Sequence, residues 1–173
     1  NEIERIVFDG DGMMLFPEDV RQILITQSQT AGDDVILGYD VGTDTLEGGL
    51  GNDYLSGGRS SDIYLFNAGD GKDIVDDNGF SSTDIVRFVD YSFVDATFAL
   101  GSGNSGSIVI SFASGDSVTV INGFESAASD GIERYEFLGT GSTELYTATD
   151  LRQIILAAEE TAGDDEIVAA FSS

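Results

Sequence analysis

Asp44, Asp53, Asp62 and Asp73 each stand two residues ahead of an apolar or aromatic side chain, and each closes a short glycine-rich stretch. Their spacing is close to nine residues. The clearest copy, Gly48-Gly49-Leu50-Gly51-Asn52-Asp53-Tyr54-Leu55-Ser56, fits G-G-x-G-x-D-x-U-x at every position, a pattern of parallel β coils. One such unit is too short to bury its own apolar residue, so successive units must stack.

The residue types explain the period. Glycines in the first six positions permit the positive φ of a tight turn and turn peptide carbonyls inward. The sixth position supplies a carboxylate. The eighth lies on a short strand with its side chain toward the core and its neighbours facing outward. Two nonapeptides complete one coil, so every second turn lies above the same side of the stack. Carbonyls and carboxylates from stacked turns then surround a hard cation with oxygen alone, which suits the six to eight ligands of calcium better than the tight octahedron of magnesium. The chain has no Cys and no His, which removes thiolate and imidazole metal sites, disulfides and every triad with a His base.

Six turns follow in register. They end at Asp34, Asp44, Asp53, Asp62, Asp73 and Asp84, and point Ile36, Leu46, Leu55, Tyr64, Val75 and Val86 inward. The expected metal-facing groups are those of Ala31, Gly32 and Asp34; Gly42 and Asp44; Gly48, Gly49, Leu50, Gly51 and Asp53. Gly57, Gly58, Arg59 and Asp62, then Gly69, Gly71 and Asp73, and finally Asp84 complete the set. Calcium is expected between turns one and three, two and four, three and five, and four and six. The third and fifth turns make the best-formed pair. The fourth and sixth make the poorest, because Ser60 and Ser82 replace glycine. Asp70, Asp76 and Asp77 lie close enough to add ligands or to remain solvated.

A longer repeat overlies the short one. Ile3-Glu4-Arg5 returns as Ile132-Glu133-Arg134, Asp19-Val20-Arg21-Gln22-Ile23 as Asp150-Leu151-Arg152-Gln153-Ile154, and Thr30-Ala31-Gly32-Asp33-Asp34 as Thr161-Ala162-Gly163-Asp164-Asp165. The second and third blocks share one offset, and the first falls two residues short of it, so a small length change lies in the turn between. The chain therefore reads as one module and the start of the next in a tandem array. Residues 1–29 form the end of a preceding module, with strands and a short helix over 20–25. Residues 30–90 form the coils. Residues 91–160 form a β-rich linking segment whose alternation predicts antiparallel strands over 97–100, 107–112 and 117–121. That segment ends in a short helix over 151–158, opened by a capping box at Thr147–Asp150. Residues 161–173 restart the coils. The fold class is all-β with short helices.

Several readings fall away. Gly101-Ser102-Gly103-Asn104-Ser105-Gly106 has the letters of a dinucleotide fingerprint, but the alternating residues 108–112 follow it as a strand, so it reads as a hairpin loop. Asp9-Gly10-Asp11-Gly12 loses its carboxylates in its second copy and reads as a turn. Asp33-Asp34 has no His or Lys nearby for acid–base work, and no enzyme is expected. Phe66, Phe80, Phe88, Phe98 and Phe112 read as core or coil-end caps. A net charge of −25, from 32 acidic and seven basic residues, opposes nucleic acid and anionic membrane as partners. It also resists compaction until cations neutralise it. No apolar run is long enough for a transmembrane segment. No basic-then-apolar leader is visible, so secretion would use another route.

The nonapeptides, together with residues 58–66, 69–73 and 84–88, resemble the RTX (repeats-in-toxin) hemolysin-type calcium-binding family. The strands after them, Gly131-Ile132-Glu133-Arg134 and the helix at Thr149-Asp150-Leu151 are similar to its calcium-binding-related linking segment. The resemblance implies a right-handed parallel β-roll, several Ca2+ ions, type I export, disorder at low calcium, and folding outside the cell or at its surface. It implies a structural module of a large tandem-repeat surface protein (adhesin, surface layer or fibre). The alternative is the carrier region of a type I-secreted exoenzyme or toxin. The expected partners are neighbouring copies of the module, in cis or between chains, with any glycan ligand left open.

Overall fold

A computed structural model describes residues 4–8, 12–79, 83–102, 106–124, 131–139 and 141–161. The chain is mostly β, with mixed sheets and two helices among the described residues, in keeping with an all-β class. Strands β1 (Ile6–Val7) and β2 (Met14–Leu15) form a small antiparallel pair ahead of helix α1 (Pro17–Ser28). Six short strands follow: β3 (Val35–Leu37), β4 (Thr45–Glu47), β5 (Tyr54–Ser56), β6 (Ile63–Phe66), β7 (Lys72–Val75) and β8 (Ile85–Phe88). The remaining elements are a 3-10 turn (Phe93–Asp95), β9 (Ala96–Leu100), β10 (Ile108–Phe112), β11 (Ser117–Val120), β12 (Arg134–Phe137), β13 (Glu144–Thr147) and α2 (Ala148–Thr161).

Alternate strands pair in parallel, as a two-unit coil requires. β3, β5 and β7 stack in one sheet, and β4, β6 and β8 in another. The six residues expected to point inward, from Ile36 to Val86, are all fully buried. The offset between stacked strands is not uniform. Thr45 pairs with Ile63 at the length of two nonapeptides. The step from Val35 to Tyr54 is one residue longer, that from Tyr54 to Ile74 two longer, and that from Ile63 to Ile85 four longer. Extra residues such as Gly38 are taken up in the connections, while the strands keep their inward–outward phase.

The linking segment departs further from expectation. β9, β10 and β11 form the expected antiparallel run, but β11 also pairs in parallel with β7, and β12 with β8. Both stacks therefore continue past the six nonapeptide turns into the linking segment. The inner faces are the reason: Val118 and Val120 of β11 and Tyr135 and Phe137 of β12 are buried at the alternate positions that the stacks require. An aromatic group closes this end. Phe88 stacks on Phe137 at 4.8 Å and meets Phe66 and Phe112, while Phe93 stacks on Tyr146 at 3.8 Å.

Both helices are longer than expected, at 12 and 14 residues, since neither glycine nor proline interrupts residues 18–31 or 148–162. The capping box of α2 is present: the Thr147 N–H donates to Asp150 Oδ2 (2.8 Å) and the Asp150 N–H to Thr147 Oγ1 (3.2 Å). Strands β9 and β10, which flank the Gly101–Gly106 stretch, pair antiparallel, and residues 103–105 of that stretch lie outside the described residues. Residues 9–11, Phe80, Ser82 and the repeat restart at 162–173 lie outside the described residues.

Candidate metal centre

The strand stacks bring the six turn-closing aspartates into two columns of three. In one, the Asp34 N–H donates to Asp53 Oδ1 (2.8 Å) and the Asp53 N–H to Asp73 Oδ1 (2.9 Å). In the other, the Asp44 N–H donates to Asp62 Oδ1 (2.8 Å) and the Asp62 N–H to Asp84 Oδ1 (2.8 Å). These bonds join the turn pairs expected to share a cation. Glu133 extends the second column by accepting from the Asp84 N–H at 2.8 Å.

The second carboxylate oxygens turn back toward their own loops. Asp34 Oδ2 accepts from the Thr30 N–H and Asp44 Oδ2 from the Tyr39 N–H, each at 2.6 Å. Asp53 Oδ2 and Asp62 Oδ2 are buried with no hydrogen-bond donor. They fill the hollows over Gly48 and Gly57, where an added Cβ would lie 2.1 and 2.4 Å from them. At these two turns glycine in the first position is thus required to admit the carboxylate. At the fourth position it serves close stacking: a Cβ on Gly71 would lie 2.0 Å from the Gly51 carbonyl oxygen.

Three carboxylates converge at Asp62, Asp77 and Asp84, all buried, with one oxygen from each lying within 4.8 Å of the others. Tyr64 sets Asp77 in place by donating its hydroxyl to Asp77 Oδ1 (2.5 Å) while accepting from the Gly57 N–H (2.7 Å). Asp77 Oδ2 is buried and has no partner. The densest acidic group therefore lies at the fourth and sixth turns, which sequence spacing ranked as the poorest pair. Ser60 is no obstacle, because it adopts the left-handed φ of 88° that glycine takes at the same turn position elsewhere.

Electrostatics follow from burial. Loss of solvent pushes the Asp62 carboxyl up to about 8, and the negative charges of Asp44, Asp84 and Asp77 add to the shift. Burial raises Asp73 to about 7, with Asp53 and Asp70 nearby. Burial likewise raises Asp44, Asp53, Asp70, Asp77 and Glu133. Asp116 is a useful contrast. Although burial pushes it up, donors from Tyr91, Ser114, Gly69 and Gly71 outweigh that effect and hold it below the usual carboxylate range. Asp116 is satisfied by protein donors, whereas the second oxygens of Asp62 and Asp77 have none.

No protein-family model matches this sequence, and no curated protein does. Chemistry alone must therefore assign the site. Buried carboxylates with leftover oxygens, close to one another and raised toward protonation, can hold a metal ion. The exposed side chains of Ala31, Leu50 and Arg59 leave only their peptide oxygens as donors. Gly42, Gly49, Gly51, Gly58, Gly69 and Gly71 all take positive φ. Two contributors are not assigned as ligands by the nonapeptide spacing. Asp77 falls outside the sixth position of any unit. Glu133 belongs to a segment whose only signal is the return of Ile-Glu-Arg.

Proposed function

We propose that residues 30–90 fold as a right-handed parallel β-roll of the RTX kind around several Ca2+ ions. On this reading the chain is a structural module, without catalytic activity, of a large secreted tandem-repeat surface protein such as an adhesin, a surface layer or an extracellular fibre. The observation that carries this reading is the buried Asp62–Asp77–Asp84 group, with the unpartnered second oxygens of Asp62 and Asp77. Such a group is costly as three anions and is stabilised by a hard, oxygen-seeking cation. Bound calcium would supply positive charge to both columns, with Asp34, Asp53 and Asp73 holding it in one, and Asp44, Asp62, Asp84 and Asp77 in the other.

Metal uptake is then coupled to folding, because the columns exist only in the folded chain. A net charge of −25 supports this coupling, since it keeps the metal-free chain expanded. No described helix is long and apolar enough to cross a membrane. The test is circular dichroism in EDTA and during a calcium titration, with magnesium as the control. The β signal is expected to appear cooperatively with calcium, and Asp62→Asn should shift the midpoint to higher calcium. Identical spectra with and without calcium would sink the proposal.

A further inference from the structure

One surface occurs twice in this chain, once covered and once open. The hairpin–helix unit β12–β13–α2 repeats β1–β2–α1 residue for residue in pairing: Tyr135 faces Tyr146 where Ile6 faces Leu15, and Glu136 faces Leu145 where Val7 faces Met14. In the later copy, β12 lies against β8, Phe93 stacks on Tyr146, and α2 packs on β9 and β13. Tyr135, Phe137 and Ile155 are consequently 0%, 0% and 3% exposed. Their counterparts Ile6, Phe8 and Leu24 are 41%, 44% and 48% exposed. Beside them lies a cleft of about 260 Å3 lined by Ile6, Leu15, Phe16 and Val20 among others; Leu15 is the counterpart of Tyr146, the residue on which Phe93 stacks in the later copy.

The helices show the complementary difference. Ile25 of α1 is buried, and Gln22 accepts from the Thr45 N–H (3.0 Å) and donates to its carbonyl (2.8 Å), so that α1 seats the first coil. The counterpart Gln153 is exposed. Each copy of the helix thus shows one occupied face, and the two faces differ. The acidic column gives an independent indication. Glu133 ends it by accepting from Asp84, and its counterpart Glu4 is exposed.

We infer that β1–β2–α1 is a two-faced joint whose open face receives the β8 strand and the Phe93 turn of a second copy of this module. Glu4 then ends that copy's aspartate column. The inference rests on the tandem-module reading above and names the surface through which modules meet. It places a shared helix between consecutive coil stacks, so that neighbours fold as one block.

The test duplicates residues 3–131 ahead of Ile3 in the full chain. Val7→Ile in the second copy serves as a mass label, and the peptides over residues 4–8 are followed by hydrogen exchange in calcium. β1 of the second copy gains a parallel neighbour, so the Arg5 and Val7 amides there should exchange about 100-fold more slowly than in the first copy. Phe93→Ala in the first copy should reverse part of that protection. Equal exchange in the two copies overturns the joint. Circular dichroism of the same chain reads the calcium reading separately: a calcium-independent spectrum counts against the metal and leaves the exchange comparison to decide the joint.

Discussion

Ser60 is a non-glycine residue held at φ 88°, in a turn where Gly42, Gly51 and Gly71 occupy the corresponding position with positive φ. A side chain in this region costs roughly 1–2 kcal/mol through contact between Cβ and the following carbonyl. Ser60→Gly should therefore stabilise the calcium-bound fold by about 1 kcal/mol, less the added chain entropy that glycine brings to the unfolded state. Urea unfolding in saturating calcium checks it, and a destabilised variant would show that the serine side chain contributes something geometry does not reveal. At this scale the sequence is highly legible. Asp53 and Leu55 are tied by one local unit, so a single copy of the nonapeptide fixes which of them seeks oxygen and which seeks the core. Asp77 was legible only as a residue that could add a ligand or stay solvated, because its placement depends on Tyr64, a residue 13 positions away that aims it inward.

Elements were legible where their determinants are local. The coil strands, the linker hairpins and the α2 cap could all be read because a few adjacent residues define each of them. Docking of β11 on β7 and of β12 on β8 could not, since it joins segments far apart in the chain, Lys72 with Ser117 and Ile85 with Arg134, that share no motif. Helix α1 has a function that its own residues barely signal. Gln22 gives the Thr45 backbone on β4 both a donor and an acceptor, at the edge of the five-stranded sheet. Unpaired strand edges invite association with other chains, and a covering helix blunts them. Gln22→Ala should cost about 1–3 kcal/mol, as two half-buried backbone groups lose their partners. The measurement is denaturant unfolding alongside light scattering. Unchanged stability and unchanged association would remove the capping role.

At the scale of the whole molecule, the acidic columns make stability depend on pH in opposite directions with and without metal. Asp62 and Asp73 titrate at about 8 and about 7 in the folded chain, against an ordinary value of about 3.9 when unfolded. A raised carboxyl binds its proton more tightly in the folded state, so this contribution to stability is complete below the unfolded value. It is lost as pH rises from about 4 to about 8. In EDTA the metal-free chain should therefore hold β structure only toward the acid end of that range, its melting temperature falling as pH rises until the transition is lost. In saturating calcium the melting temperature should rise instead, because protons then compete with the metal for the same oxygens. Thermal melts followed by circular dichroism decide the matter, and the same sign in both conditions would separate the raised carboxyls from the metal.

The long register offsets between stacked strands, never shorter than two nonapeptides, have a mechanical consequence. Each such stretch of chain advances the stack by only about 4.8 Å, the spacing of neighbouring strands. Pulled straight, the same stretch spans about 60–80 Å. A tether built this way holds more than ten times its resting length in reserve. If the calcium-bound tandem array proposed above holds, the tension that releases this slack is set by dissolved calcium, so such a filament would be stiff in hard water and compliant in soft.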